Sequence, residues 1–407
     1  MGGSFLHLLP MNKNLSRLFE IARRKERYIV GLMSGTSLDG LDVALCKLRK
    51  HGLNTQIELL EFETVPYSSV VKSRITEVFA RELVDFEKLC ILNPWLGMLH
   101  GKMVVRCLKK WKYEVHKIDL IASHGQTVFH SPAFLHPEQN TNATFQIGDG
   151  DQVAVTTGII TISDFRQKHI AKGGEGAPLA VYGDYLLLSH TTENRILLNI
   201  GGIANFTYLP VGRDPKKVFV TDTGPGNTLI DQMVRYSIPN AYFDRDASIA
   251  RRGKIHIELL HELKSDPFFN IPFPKTTGPE LFNVKNVRSA QKRSKTMDLI
   301  LEDLLATLTR FSAETIAEAI QSVVRKREFE VYFSGGGAYN PLLTKWIQEL
   351  LDIKNIRTTD ELGIPGDAKE AMLFAVLANE SIVGGKVNFG TRAKIPSVSM
   401  GKISFPD

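Results

Sequence analysis

Cysteine is scarce: the 407-residue chain carries three, Cys46, Cys90 and Cys107, far apart and with no pair at CxxC spacing. An odd, scattered set excludes a disulfide framework or structural zinc site and points to a reducing compartment. Each is read as a small buried apolar residue. Long uncharged apolar runs are missing too; none approaches the roughly 20 residues a membrane-spanning helix needs. The basic N-terminus (Lys13, Arg17, Arg23, Arg24, Lys25, Arg27) lacks the apolar core and cleavage site of a secretory signal. Residues 1–27 leave three readings open: a targeting stretch, an amphipathic lead-in helix, or translation from Met11. The cytoplasm is the default. A dominant charge sign is also absent. Net charge is +6, from 50 basic and 44 acidic residues, and the short clusters Arg23–Lys25 and Lys109–Lys110 are not interleaved with aromatics. Neither a nucleic acid nor a membrane is therefore expected as a partner. No His/Cys/Asp constellation has transition-metal spacing, and no GxxxxGK[ST] loop occurs.

What is present fits a globular protein of two domains: 43% hydrophobic and 23% charged residues in a chain too long for one core. Tyr28-Ile-Val-Gly-Leu-Met reads as a buried strand, Ser34-Gly-Thr-Ser as a turn and Leu41-Asp-Val-Ala-Leu-Cys-Lys-Leu as the returning strand. The design recurs mid-chain, with strand Arg195–Ile200, turn Gly201-Gly202 and return strand Ala204–Leu209. Two α/β halves, each led by a glycine-turned hairpin, suggest a nucleotide cleft between domains. The expected layout is an N-terminal extension at 1–27, domain I at 28–157, domain II at 158–384, and a segment 385–407 returning to domain I. Further strands are read at Ile118–Ser123, Ile159–Ser163 and Glu330–Ser334. A long helix is read over Met297–Ser322 from its apolar spacing, and another over Ala368–Glu380.

Three loops carry chemical promise. Ser34-Gly35-Thr36-Ser37-Leu38-Asp39-Gly40 is able to set amides and hydroxyls against a phosphate, or to be an ordinary polar hairpin tip. Asp222-Thr223-Gly224-Pro225-Gly226-Asn227 follows a strand and opens a helix. An acid there suits a general base, and the helix N-terminus an anion; the bland reading is a turn-capping aspartate. Ser334-Gly335-Gly336-Gly337-Ala338-Tyr339-Asn340 offers an open glycine surface to a flat ring, or a packing turn. At two strand ends, Ser123-His124-Gly125-Gln126-Thr127 and Asp164-Phe165-Arg166 offer polar groups to a sugar. His124 alone is more often structural than catalytic.

Taken in order, GLMSGTSLDGLD (31–42), SHGQT (123–127), QIGDG (146–150), DFR (164–166), GGEGAPL (173–179), NIGG (199–202), DTGPGN (222–227), GGGAYN (335–340) and GDAKEAM (366–372) resemble the anhydro-N-acetylmuramic acid kinases. The resemblance runs from about Tyr28 to about Glu380. It implies a two-domain actin-like (ribonuclease H-like) ATPase fold with an interdomain nucleotide and sugar cleft. The implied enzyme is a cytoplasmic homodimer of amino-sugar recycling that uses ATP with Mg2+ and opens and phosphorylates 1,6-anhydro-N-acetylmuramic acid. By the resemblance Asp222 is the catalytic base. ATP would be held by Ser34, Gly35, Thr36, Ser37, Leu38, Asp39, Gly40, Asp42, Asn199, Gly201, Gly202, Gly224, Gly226, Asn227, Gly335, Gly336, Gly337 and Asn340. Thr127, Arg166 and Glu370 would contact the sugar, and no protein metal ligand is implied. The chain departs from the family pattern at Gln167-Lys168-His169, Glu175 and Pro279, which are expected on the sugar side. Two alternatives remain: a kinase of another sugar in the same superfamily, and a non-enzymatic ATP-driven switch or chaperone.

Overall fold

The computed structural model describes residues 12–133, 136, 138–278, 280–325, 327–390 and 395–407. The chain divides into two compact units, Met1–Leu187 with Ala368–Asp407, and Leu188–Asp367.

The first unit is built on a sheet of β1 (Glu26–Ser34), β2 (Gly40–Arg49), β3 (Gln56–Pro66), β4 (Leu120–Ser131), β5 (Ala143–Ile147), β6 (Thr161–Ser163) and a last strand, Lys402–Ser404. Its order is β3-β2-β1-β4-β6 and then Lys402–Ser404, with β5 paired to the far end of β4. The β1–β2 and β2–β3 pairs are antiparallel, while β1–β4 and β4–β6 are parallel. The helices are α1 (Lys13–Arg23), α2 (Ser69–Thr76), α3 (Phe86–Lys110), α4 (Gly150–Thr157), α5 (Phe165–Ala171), α6 (Ala180–Leu188) and, late in the chain, Lys369–Val383. β1 and β2 are near-continuous buried apolar runs, and one face (Val30, Leu32, Leu41, Val43, Leu45) packs against Leu92, Leu96, Val104 and Leu108 of α3. α1 fixes the basic N-terminal stretch: Asn12 caps it, and the Asn14 amide bonds the Asp407 carboxylate at the other end of the chain.

The second unit repeats this topology. Strands β7 (Arg195–Ile200), β8 (Ile203–Leu209), β9 (Phe219–Pro225), β10 (Glu330–Ser334) and β11 (Arg357–Thr358) run in the order β9-β8-β7-β10-β11. Again the first three are antiparallel, and the β7–β10 and β10–β11 pairs are parallel. The helices are α7 (Thr228–Ser237), α8 (Ile257–Lys264), α9 (Val284–Arg293), α10 (Leu301–Val324) and α11 (Pro341–Leu351), so Lys369–Val383 is α12 and Lys402–Ser404 is β12. α10 is the long helix read from sequence, starting four residues later than expected. Glu302 and Asp303 in its first turn complement the helix dipole. Leu304, Leu305, Leu308 and Phe311, at helical spacing, pack against Leu229 and Met233 of α7 and Leu259 and Leu260 of α8.

The domain boundary expected at 157/158 falls at 187/188. β6 pairs in parallel with Ile121–Ser123 of β4, which keeps 158–187 with the first sheet. α12, expected in the second domain, belongs to the first unit, and β12 pairs with β6.

Candidate functional site

In the first unit the β1–β2 turn leaves Thr36, Ser37 and Asp39 exposed, with Leu38 in the left-handed region at φ 58°. Ser34 is different. Its hydroxyl is 1% exposed, 2.8 Å from the Tyr67 hydroxyl and 2.5 Å from Gln126 Oε1. That side chain is spent inside the protein. Gly40 is set by the sheet: a Cβ there would lie 2.3 Å from the Val65 carbonyl oxygen on β3. Asp42 accepts the Thr64 hydroxyl at 2.6 Å.

Behind the turn runs a buried chain of hydrogen bonds. The Tyr67 hydroxyl meets His100 Nε2 at 2.7 Å. Burial pushes His100 down to about 3, so the ring is neutral. Because Ser34 donates to Gln126, the chain runs in one direction, with His100 Nε2–H donating to Tyr67 and Tyr67 to Ser34, which leaves His100 Nδ1 buried without a partner among the described residues. The Gln126 amide then donates to the carbonyls of Gly35 (3.2 Å) and Thr127 (3.0 Å). The glycine turn and Thr127 thus hang from one amide.

Thr127 Oγ1 accepts from Gln146 at 3.1 Å. Arg166, in the first turn of α5, donates Nε–H to His124 Nε2 at 2.8 Å and an Nη1–H to the Gly176 carbonyl at 2.7 Å. Because His124 Nε2 accepts, its proton resides on Nδ1, which donates to the Gly125 carbonyl at 2.8 Å. Burial lowers Arg166 to about 10, opposed by Glu370, and it stays charged. Glu370 opens α12, reachable by solvent yet densely surrounded. Desolvation first, and Asp42 second, raise its carboxyl, against Arg166 and Lys369. Of the departures from the family pattern, Gln167 bonds the Thr144 carbonyl (2.7 Å), Lys168 reaches the Gly401 carbonyl (3.2 Å) and His169 accepts the Gly176 amide (3.0 Å). These are framework contacts. Glu175 is half-buried, and Pro279 lies outside the described residues.

In the second unit three glycine motifs converge. The Gly201 carbonyl accepts from Asn227, and that of Gly202 from Gly226 and Thr228, all at 2.8–3.0 Å. These bonds spend the amides of Gly226, Asn227 and Thr228, where α7 begins, on the hairpin tip. Gly226 is required by this contact, since a Cβ would fall 2.3 Å from the Gly201 oxygen. Ser312 of α10 donates to the Gly226 carbonyl at 2.8 Å from behind. Gly224 adopts φ 137°.

The triple glycine divides its labour. Gly335, at φ 81°, would place a Cβ 2.6 Å from Asn199 Oδ1. A Cβ on Gly337 would lie 2.3 Å from Ile200 and 3.0 Å from the Asn227 amide. Only Gly336 of the three is open, with nothing within 4 Å of its Cβ position. It lines a cavity of about 390 Å³ with Asn227, Ile230, Asp231, Phe243, Asp244, Arg245, Asp246, Tyr339 and Asn340. The size and the aromatic walls suit a nucleoside. Asn340 spends its oxygen capping α11, accepting from Leu342 and Leu343. Asp231 lies one helical turn after Asn227, a spacing that would have found it; burial pushes its carboxyl up to about 6. Nothing local marks Phe243 or Arg245.

Asp222 is half-buried on β9. Its Oδ2 accepts the Thr277 amide at 2.8 Å and its own amide donates to the Lys275 carbonyl at 2.9 Å. Burial pushes the carboxyl up to about 6, the Thr277 bond opposing and Glu280 assisting. A carboxylate titrating there is poised to exchange protons near neutrality.

The doubled strand order and its glycine-turned hairpins place the molecule among the actin-like ATPases. A family model described as anhydro-N-acetylmuramic acid kinase matches residues 26–405. The anhydro-N-acetylmuramic acid kinase of Pseudoalteromonas atlantica is 54% identical, covering 98% of this chain and 100% of its own length. Those of Pseudoalteromonas translucida and Caldanaerobacter subterraneus are 50% and 41% identical, covering 98% and 96% of this chain and 100% of their own. The chain belongs to the anhydro-N-acetylmuramic acid kinase family. Among solved structures, an activator of 2-hydroxyisocaproyl-CoA dehydratase from Clostridium difficile covers 88% of this chain and 96% of its own at 12% identity and a TM-score of 0.40, too slight a likeness to bear on function.

Proposed function

We propose that the chain converts 1,6-anhydro-N-acetylmuramic acid, water and ATP to N-acetylmuramic acid 6-phosphate and ADP. Asp222 takes a proton from the water as its oxygen bonds the anomeric carbon. The bond from that carbon to O6 breaks, and O6 takes the γ-phosphoryl group as ADP leaves. The proton then passes from Asp222 to solvent. The observation that carries this reading is the half-buried Asp222 carboxylate, pushed up to about 6 and aimed by the Thr277 amide, on the strand that runs into the glycine motifs.

The nucleoside is assigned to the cavity lined by Gly336, Asn227, Phe243, Arg245 and Tyr339. The phosphates are assigned to the exposed Gly35–Asp39 turn and to Asn199, Gly201 and Gly202, and the sugar to Thr127, Arg166 and Glu370. Phosphoryl transfer is largely positioning and charge neutralisation, which fixed amides supply without reorganisation. Among the described residues no three or more His, Cys, Asp or Glu side chains cluster to hold a metal. A Mg2+ ion carried by phosphates and water would need little from the chain, and the exposed Asp39 is the carboxylate that would share it. Such an ion, when bound, neutralises charge on the transferring phosphate. Cytoplasmic, homodimeric work in cell-wall sugar recycling completes the proposal; Cys46, Cys90 and Cys107 are all free thiols.

ADP release with anhydro-N-acetylmuramic acid, N-acetylmuramic acid and N-acetylglucosamine in parallel tests the reading. Turnover only with the anhydro sugar is expected. Equal turnover with the free sugars would mean a hydroxyl-deprotonating kinase, and turnover indifferent to sugar a switch or chaperone.

A further inference from the structure

Lys275 is 7% exposed, and among the described residues no acidic side chain lies within ion-pair distance of it. Its ammonium sits over three rings, 4.3 Å from the centroid of Phe268, 5.0 Å from Phe273 and 5.6 Å from Phe269. It donates to the carbonyls of Phe268 (2.9 Å) and Phe269 (3.3 Å). A methionine or leucine would fill this aromatic cage without the desolvation that a buried ammonium incurs. What the ammonium adds is direction: it ties the turn Pro267–Asn270 to the segment 275–277.

That segment is the one that holds Asp222. The Lys275 carbonyl accepts the Asp222 amide, and its own amide donates to Thr221 Oγ1 at 3.0 Å. Two residues on, the Thr277 amide reaches Asp222 Oδ2. On the other side of the tie, Phe269 packs on the loop after Asp222, 3.1 Å from where a Cβ on Gly224 would lie. Both ends of what Lys275 joins therefore press on the Asp222–Gly226 loop.

We infer that Lys275 is a positioning residue for Asp222, its caged ammonium holding the Thr277 amide on the carboxylate while Phe269 braces the following glycine. The inference rests on the assignment of Asp222 as base. Besides the Thr277 amide, Glu280 is the charged neighbour that acts on Asp222, raising its carboxyl.

The test is Lys275→Met in the full chain, with Lys275→Arg and Asp222→Asn beside it, reading ATP affinity, kcat and the acidic limb of kcat against pH. Lys275→Met is expected to keep ATP affinity within about threefold, to lower kcat by roughly tenfold or more, and to move the limb to higher pH, because Asp222 loses an amide that favours its charged form. Lys275→Arg is expected to restore the limb. A merely structural lysine lowers thermal stability but leaves the limb where it was; that result overturns the inference. Should Lys275→Met not fold, Phe273→Leu, which thins the cage without removing the cation, is read by the same limb. Full turnover in Asp222→Asn sinks the base assignment and this role together. An inactive Asp222→Asn with an unmoved limb in Lys275→Met overturns the lysine's role alone.

Discussion

The two units share one sheet topology but fix their polar groups by opposite means. In the first, side chains hold side chains: Arg166 on His124, and His100, Tyr67, Ser34 and Gln126 in series. In the second, backbone holds backbone: Gly201 and Gly202 carbonyls take the amides of Gly226, Asn227 and Thr228, and an amide aims Asp222. Side-chain networks depend on the identity of each member. Backbone hydrogen bonds fix a geometry that a rotamer change cannot disturb. The difference also says where change is tolerated: Gly226, Gly335 and Gly337 of the second unit are closed to a Cβ, whereas Gly336 beside them is open.

The largest break in this comparison should come from Asp222→Asn. Sugar-dependent ADP release is expected to fall by about a hundredfold to ten-thousandfold, the usual worth of a general base, with ATP affinity intact by calorimetry. Gly335→Ala comes next. With φ 81° and a Cβ 2.6 Å from Asn199 Oδ1, it should destabilise the protein by about 1–3 kcal/mol in chemical denaturation. The same substitution at Gly336, which meets nothing within 4 Å, should leave stability unchanged. Arg166→Lys loses the planar fork that spans His124 and Gly176; the KM for sugar should rise about tenfold while that for ATP holds. The smallest effect belongs to Tyr67→Phe. Removing a hydroxyl between Ser34 and His100 should cost about 1 kcal/mol, visible in denaturation more than in turnover.

Local spacing made both hairpins, the long α10 and the three glycine loops legible, because strand alternation, helical period and glycine turns are short-range properties. In the triple glycine it did not separate Gly335 and Gly337, which pack, from Gly336, which faces open space. Gly335 and Gly337 are glycine because of Asn199 and Ile200, contacts set by the β7–β10 pairing and not by neighbours in sequence. The boundary was misplaced for the same reason: β6 reads as an isolated strand until its partner β4 is known. Ser34 had the look of a phosphate contact, yet its hydroxyl turns inward to Tyr67 and Gln126. Thr277 and Lys275 carry no motif that joins them to Asp222; only the fold brings them there.

Two carboxyls of the second unit, Asp222 on β9 and Asp231 in the nucleoside-sized cavity, are both pushed up to about 6 by burial. A base must be ionised to act, so activity is lost as pH falls through its raised pKa. The most direct test of Asp222 as base is the pH dependence of kcat at saturating ATP and sugar, in the wild type and in Asp231→Asn. An acidic limb near pH 6 that persists in Asp231→Asn is the result expected here. A limb that disappears with Asp231, or a rate that stays flat well below pH 6, would contradict it.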